Sequence, residues 1–427
     1  MSDLDRHELV IVGAGAAGLW AAARCAQGGA GTLLLEKRDR TGTKILASGG
    51  SRCNLTTTLN AERAGRLFGT RGERFLRPAL RTLSPQDVCA RFAELGVDTV
   101  AAPLEKVFPA SQNARDVRDA LESAARGAGC EIQFHATVGQ LEPDSRGGWA
   151  VQLTNGATVL AERLLLSSGG QSYPDTGTTG DGYAWLRALD LEVVPPVPAL
   201  VPLSSPEQWV RELTGVALQD CEVRLVDGSG KEHGRRARPL LFTHSGLSGP
   251  AAMDLSGIVA REHESAARMG APPPRFAILV DLMPLRSREE LRVLLIDSAA
   301  RSGALRLQPA LGGDLPRRLV AAVCRQAHVA PNGSVQDLSK SQRHEVIEAL
   351  KGLRVEIDGT AGFDAAEVTR GGLALRECNP RTMQVNAHPG LYVCGELLDV
   401  DGPIGGLNFQ SAFATAELAA RHLTAAR

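Results

Sequence analysis

The segment that most constrains this chain is Gly13-Ala14-Gly15-Ala16-Ala17-Gly18, a full G-x-G-x-x-G. A glycine triplet alone says little, and its flanks decide. Leu9 to Val12 reads as a short apolar strand, Ala16 to Ala26 as an Ala-rich helix, and Thr32 to Leu35 as a second apolar strand closing on Glu36. Strand, tight turn, helix and parallel strand make a βαβ unit. In that frame Gly13 permits the turn, Gly15 lets backbone approach a pyrophosphate, and Gly18 lets helix pack on strand. The helix start, Ala16 and Ala17 included, offers free N–H groups and partial positive charge to phosphates. Glu36 follows about twenty residues on, where a carboxylate can accept hydrogen bonds from an adenosine ribose. Its charge repels a 2′-phosphate, which suits FAD or NAD rather than NADP.

Three later segments turn the choice to FAD. Ser48-Gly49-Gly50-Ser51-Arg52-Cys53-Asn54 can lie along the ribityl chain and the flavin edge; the alternative is a polar surface turn. Leu164 to Leu166 is a buried strand that ends in Ser168, Gly169 and Gly170, small enough to return near the pyrophosphate. Gly390 to Glu396 is an apolar strand ending in Gly395-Glu396, which can place the acid on ribityl hydroxyls. Asp401, Gly405, Gly406, Leu407, Asn408 and Phe409 follow, with glycines and a helix start that can aim N–H groups at the flavin pyrimidine ring. Lys37, Lys44 and Val138 complete the residues expected at the cofactor.

Composition bounds the rest. The chain has 427 residues, 43% hydrophobic and 22% charged, which is globular and fits two or three domains. The formal net charge of -1 weakens a nucleic-acid reading, so the expected partner is a small-molecule substrate, with no nucleic acid and no membrane. No apolar run reaches the ~20 residues of a membrane span. The acidic start MSDLDRHE lacks the pattern of a signal peptide. The eight cysteines are scattered without a CxxC, and the nine histidines hold no HxxxH, so neither a disulfide framework nor a metal site is expected. A cytoplasmic location fits, and oligomeric state is open.

Along the chain, helices are expected at 84–95 and 113–128. Strands at 131–138, 149–153 and 157–161 read as an antiparallel meander, with Arg163 to Ser167 as a further buried strand. Near 193 the composition changes: VVPPVPALVPL holds four prolines and reads as a linker or edge strand. From there to about 282 the pattern is short strands, at 222–226, 239–243 and 276–281. From 284 to 352 it is helical, at 288–302, 315–328 and 341–350. Strands return at 353–357 and 391–394, and a helix over 408–423 closes the chain.

The stretches VIVGAGAAGLWAA, LLLEK, SGGSRCN, KVFPASQNARDV, GGQSYPDTGTTGDGY, LLFTHSGLSGPA, EVTRGGLAL, NPRTMQ and GLYVCGELLDVDGPIGGLNFQ resemble a family over nearly the whole chain. It is the bacterial flavoprotein family that includes aminoacetone oxidases and the bile-acid dienone reductase. The resemblance implies an α/β fold: a discontinuous Rossmann-like FAD domain with an inserted β-barrel and a small helical insert. The implied boundaries are 1–192 and 353–427 for the FAD domain, 193–283 for the barrel and 284–352 for the helical insert. The chain departs from the family at Ser51, where a third glycine is common, at Leu407, often aromatic, and at Pro403-Ile404, commonly polar or small.

A flavin takes or gives hydride itself, so the protein supplies position, electrostatics and access. Arg52 can bind a substrate carboxylate or anionic flavin, or serve a structural ion pair. Cys53 reads as a packing residue or a thiol at the flavin, and Asn54 as a flavin contact or a loop fastener. Tyr173 is a candidate proton donor or a positioned aromatic, and His244, in Phe242-Thr243-His244-Ser245-Gly246, a candidate proton shuttle or a structural hydrogen-bonder. Asp399 and Asp401 can pair as carboxylates, but cofactor positioning or helix capping fits them better than acid–base work. No second G-x-G-x-x-G exists for a nicotinamide domain, which leaves reoxidation by O2 or transient NAD(P)H binding. The expectation is therefore an FAD-dependent oxidoreductase, amine oxidase-like with O2 as acceptor. The alternatives are an NAD(P)H-dependent reductase of a conjugated C=C bond and, from another class, a flavin-bound RNA-modification or structural protein.

Overall fold

The computed structural model describes residues 6–301, 305–311, 313 and 315–425. Most of the acidic opening, residues 1–5, and the last residue of the helix expected at 288–302 lie outside the described residues. The chain divides into two compact units, one made of Met1–Pro198 and Ala366–Arg427, the other of Ala199–Ala365.

The first unit is built on a seven-stranded sheet. Its strands run in the order Glu131–Gln133, Thr32–Leu35, Arg6–Val12, Thr158–Leu166, Trp149–Leu153 and Val138–Pro143. Leu391–Val393 also pairs, in parallel, with Thr158–Leu166. Arg6–Val12 lies parallel to both neighbours, with Val10 opposite Leu33 on one side and Leu164 on the other. Thr32–Leu35 is buried at every residue, as a central parallel strand covered on both faces must be.

Two expectations about this sheet are corrected. The segment 131–138 does not start the meander: Glu131–Gln133 pairs parallel with Thr32–Leu35, and the meander is 138–143, 149–153 and 158–166. Nor are there two strands between 157 and 167. Glu162 and Arg163 look like a break, but Glu162 is exposed and Arg163 reaches Glu8 on the neighbouring strand at 2.6 Å, so the strand runs through.

Helices complete the unit. Ala16–Gln27 packs against the closing helix Leu407–Ala425. Between them the Trp20 and Phe413 rings sit 5.0 Å apart and Phe92 meets Phe413 edge-on at 5.6 Å. A buried carboxylate lies in this layer: Glu417 accepts from Trp20 Nε1 at 3.0 Å and Arg24 Nε at 2.8 Å. Burial alone would raise its pKa; Arg24, Arg421 and Trp20 outweigh that and hold it low. Pro85–Glu94 starts in a capping box of Ser84 and Asp87, and Ala114–Gly127 is capped by Asn113, both inside the expected stretches. Ala61–Arg66 and Gly69–Thr82 were not expected. Pro78 inside the second hides a helical stripe of Phe75, Leu76, Ala79 and Leu80, all buried.

The proline-rich stretch resolves as an edge strand, Val193–Ala199, paired with Val368–Leu373. In the second unit, strand pairing gives two separate antiparallel sheets of five and four strands. The four-stranded sheet holds Glu222–Asp227, Phe276–Asp281 and Leu353–Ile357, with Val223 opposite Val280. The helices Arg288–Arg301, Arg317–Gln326 and Lys340–Lys351 share one core with these strands rather than forming a body of their own. The stretch expected to hold only short strands contains a nineteen-residue helix, Pro250–Arg268. Its signal was Pro250 at the first helical position behind Gly249, where the missing N–H costs nothing.

All eight cysteines are free thiols. Among the described residues no helix is long and apolar enough to cross a membrane, and no cluster of His, Cys, Asp and Glu could hold a metal.

Candidate functional site

The site begins where the first strand stops. Gly13 turns the chain at φ 99° and its N–H donates to Leu35 O at 2.8 Å. A Cβ at Gly18 would lie 1.8 Å from Gly13 O, so only glycine lets the helix fold back onto its own turn. Gly15 is different: a Cβ there would meet nothing within 4 Å. No side chain caps the helix at Gly15, so the amides of Ala16 and Ala17 are unspent. Ser167 Oγ bridges Val12 O and Gly13 O at 3.0 Å each, and beside it Ser168 Oγ is buried with no hydrogen-bond partner. Open space over Gly15, unspent amides and an orphaned hydroxyl are what a bound diphosphate would use, so the residues present fit a dinucleotide.

Glu36 stands at the end of the second strand. Its two carboxylate oxygens accept from Ala14 N and Arg38 N, each at 2.8 Å, which fixes it beside the turn. The chain at 133–138 runs next to it: Glu36 N donates to Gln133 O and Ala136 N to Glu36 O, at 2.9 Å each. That places buried Val138 at the start of its strand close by. Lys37 pairs with Asp181 at 2.6 Å.

The loop 48–54 is wound into the left-handed region at Gly49 (φ 56°), Gly50 (φ 67°), Ser51 (φ 64°) and Cys53 (φ 60°). Ser48 breaks helical geometry at ψ 151°, and its hydroxyl donates to Ile45 O at 2.7 Å. Arg52 is exposed, with its guanidinium 4.6 Å above the Phe108 ring. Asn54 Oδ1 accepts from Val107 N at 3.2 Å, which makes it a loop fastener. Cys53 is fully buried and its thiol is pushed up to about 12 by burial, so it stays protonated and packs.

Gly395, Glu396 and the closing loop meet this region from the other end of the chain. Gly395 (φ 72°) donates to Thr415 Oγ1 at 3.0 Å, and a Cβ on it would approach the Ala17 methyl to 3.0 Å. Glu396 is taken up by the chain itself: Lys44 Nζ donates to it at 2.7 Å and Thr369 N at 2.8 Å. A Cβ at Gly170 would strike Thr369 Oγ1 at 2.4 Å, and one at Gly169 would near Thr178. Arg370 holds Asp401 through two donors at 2.8–3.1 Å. Burial would lower the Arg370 pKa, but Asp401 keeps it raised, so the pair is an ionic clamp and no acid–base group.

Asn408 clasps Gly402 on both sides, accepting from its N at 2.8 Å and donating to its O at 2.9 Å. Gly406 passes so near Thr56 that a Cβ would sit 2.0 Å from its carbonyl oxygen, and Gly405 precedes it at φ 140°. Leu407 is buried, and Phe409 stacks on Phe413 at 6.0 Å. The loop before the closing helix is therefore closely packed and hydrogen-bonded to itself.

The proposed acid–base residues belong to different units. Tyr173 is 43% exposed on its loop at φ 58°. His244 is exposed in the turn between the strands Leu240–Phe242 and Gly246–Ser248 of the second unit. The sequence reading missed Thr369, Arg370 and Tyr183. Thr369 Oγ1 accepts from Gln171 N at 2.7 Å and Ser172 N at 3.0 Å, closing the loop that follows Thr158–Leu166. The Tyr183 hydroxyl is buried without a partner, and burial with the Glu396 charge pushes its pKa up. All three lie inside EVTRGGLAL and GGQSYPDTGTTGDGY, but a single sequence gives no reason to choose them within those stretches.

A mixed sheet with a parallel core, a glycine turn, an acid at the second strand and a glycine loop before the last helix mark a Rossmann-type flavoprotein oxidoreductase. The chain belongs to the HI0933-like family: the model of the HI0933-like protein Rossmann domain matches residues 7–422. It is 31% identical to a ribosomal RNA dihydrouridine synthase of Escherichia coli, over 99% of this chain and 100% of that one. It is 30% identical to a 3-dehydro-bile acid delta(4,6)-reductase of Clostridium scindens, over 97% and 98%. The fold is also that of a 3-ketosteroid delta1-dehydrogenase of Sterolibacterium denitrificans, at TM-score 0.51 and 15% identity, covering 99% of this chain and 100% of that one.

Proposed function

We propose that this protein is an FAD-dependent reductase of a C=C bond conjugated to a carbonyl, with NAD(P)H as transient electron donor. One observation carries it. Two relatives matched over nearly their full length are named for unrelated molecules, a ribosomal RNA and a bile acid, yet for one bond change. Making dihydrouridine saturates the ring double bond next to a uracil carbonyl, and a delta-reductase of a 3-oxo steroid saturates a double bond in conjugation with its ketone. The amine oxidase reading has no such support and gives way to the reductase alternative.

In this reading FAD supplies a hydride from its reduced ring when bound. Gly13, Gly15, Ala16, Ala17, Gly18 and Ser168 would hold the diphosphate, and Glu36, with Lys37 and Val138 nearby, would hold the adenosine end. The segments 48–54, 168–170 and 395–396 and Lys44 flank the ribityl chain. Asp401, Gly405, Gly406, Leu407, Asn408 and Phe409 would frame the pyrimidine ring, where helix-start amides would favour negative charge on the reduced ring. Hydride adds to the carbon β to the carbonyl, a proton to the carbon α to it, and the substrate gains two hydrogens. Tyr173 is assigned as proton donor, His244 as the second candidate, and Arg52 as a contact to anionic substrate. The inserted barrel expected for residues 193–283 belongs to the same proposal.

The test is anaerobic. NADH or NADPH should bleach the yellow protein, and a cyclic enone or a uridine-containing RNA should restore the colour with one C=C saturated by mass spectrometry. Tyr173→Phe should slow reoxidation by substrate while leaving bleaching by NAD(P)H intact. Bleaching by an amine, with peroxide released in air, would overturn the reading.

A further inference from the structure

Arginine is unevenly spread on the first unit. The helix Gly69–Thr82 carries Arg71, Arg74, Arg77 and Arg81, all exposed, against one acid, Glu73. At 100° per residue these four fall within about a third of a turn, on one face. The preceding helix Ala61–Arg66 adds exposed Arg63 and Arg66. Arg77 leans on Glu73 at 3.6 Å and Arg66 pairs with Glu62. Among the described residues, the side chains of Arg63, Arg71, Arg74 and Arg81 have no ion-pair or hydrogen-bond partner. The net charge of -1 averages this face away.

The face adjoins the flavin loop. Phe68, between the two helices, lies against Gly402: a Cβ there would be 2.9 Å from its ring. Gly402 is the residue clasped by Asn408 at the head of the closing helix. The apolar side of the arginine helix, Phe75, Leu76, Ala79 and Leu80, is already buried in the unit's core, so it has nothing left to insert into a lipid surface. What remains outward is a row of guanidinium groups ~15 Å long. Guanidinium forks match phosphate oxygens in pairs.

We infer that the arginine face of Gly69–Thr82 docks the phosphate backbone of an RNA whose base is the substrate of the neighbouring flavin site. This rests on the reductase reading, in which a uridine-containing RNA is one of the substrates, and adds to it the surface that holds that RNA. The face holds the backbone and contributes no base recognition.

The test uses the FAD-loaded full chain and a short fluorescent single-stranded RNA. The wild type should bind with an affinity that falls steeply with salt. Arg71→Gln, Arg74→Gln, Arg77→Gln and Arg81→Gln combined should weaken binding at least tenfold and flatten the slope of log K against log salt by about 0.7 for each phosphate left without its guanidinium. The four Lys replacements should keep most of the slope. The flavin spectrum and melting temperature report that each variant is folded. A Gln variant that binds RNA with unchanged affinity and slope overturns the inference, as does wild-type protein that ignores RNA but binds anionic vesicles or an acidic protein. Reduction of a free cyclic enone is measured beside it. If the Gln variant reduces the enone and binds RNA like the wild type, the docking face falls and the reductase reading stands. If RNA binding drops but no C=C is reduced, the reductase reading falls and the face stands as an RNA surface alone.

Discussion

The two units of this chain stand on different physics. In the flavin unit, function dictates backbone: Gly13, Gly18, Gly170 and Gly406 occupy places where a Cβ would lie 1.8–2.8 Å from another atom. In the second unit, the helices and the four-stranded sheet share an ordinary apolar core of Val, Leu, Ile and Phe, which many sequences could fill. The first unit gathers such positions around its candidate site; the second has them too, as at Gly246, where a Cβ would lie 2.2 Å from Leu203 O, but its core is set by bulk and pattern.

The largest effect should come from the second unit's core, and it probes whether the units fail separately. Phe276, 1% exposed, packs inside that core. Phe276→Ala should cost about 3–5 kcal/mol. Melting followed by circular dichroism should split into two transitions, while flavin absorbance survives the first. A single lowered transition with simultaneous loss of flavin would show that the distinction does not extend to stability.

The same contrast explains what the sequence disclosed. The βαβ start, Glu36 and the strand before Gly395 were legible because each is local: a glycine at a fixed spacing has few other uses. The edge strand at 193–199 was legible because Pro195, Pro196 and Pro198 forbid helix. Pro250–Arg268 was not, because Gly249-Pro250 reads equally as a turn until the helix behind it is seen. Glu162 and Arg163 hid strand continuity because their partners are far away in sequence. The clamps of the site, Thr369 to the 171–172 amides and Arg370 to Asp401, join segments from opposite ends of the chain. No periodicity or spacing encodes such a pairing. The bond from Val107 N to Asn54 Oδ1, which fastens the loop, is hidden for the same reason.

Within the flavin unit the glycines themselves separate. Gly18→Ala forces a methyl to 1.8 Å from Gly13 O, so the turn must open. The expected loss is about 1–3 kcal/mol of stability together with the flavin. Gly15→Ala meets no protein atom and should leave the fold intact. Its methyl instead fills the open space over the helix start, so the purified protein should be colourless yet melt close to the wild-type apoprotein. The ratio of absorbance near 450 nm to that at 280 nm (about 450 nm being the flavin band), read beside a thermal melt, separates the two. A yellow Gly15→Ala protein would remove the diphosphate from this turn.

The smallest effect tests one of the places in the flavin loop where a residue other than glycine holds a left-handed backbone. Ser51 holds φ 64° and is exposed. A non-glycine residue there costs ~1–2 kcal/mol of backbone strain. Ser51→Gly relieves it but enlarges the freedom of the unfolded chain by ~0.4–1 kcal/mol, so the net gain should be about 0.5 kcal/mol. That is a rise of roughly 1–2 °C in melting temperature for a unit of this size. The sign is the informative part. If Ser51→Gly lowers the melting temperature, the loop is not held left-handed by the fold, because removing a side chain without a partner should then only relieve strain. If it raises it while slowing reoxidation of the reduced flavin by substrate, the strain at Ser51 is serving the loop's position, as backbone strain at active sites does.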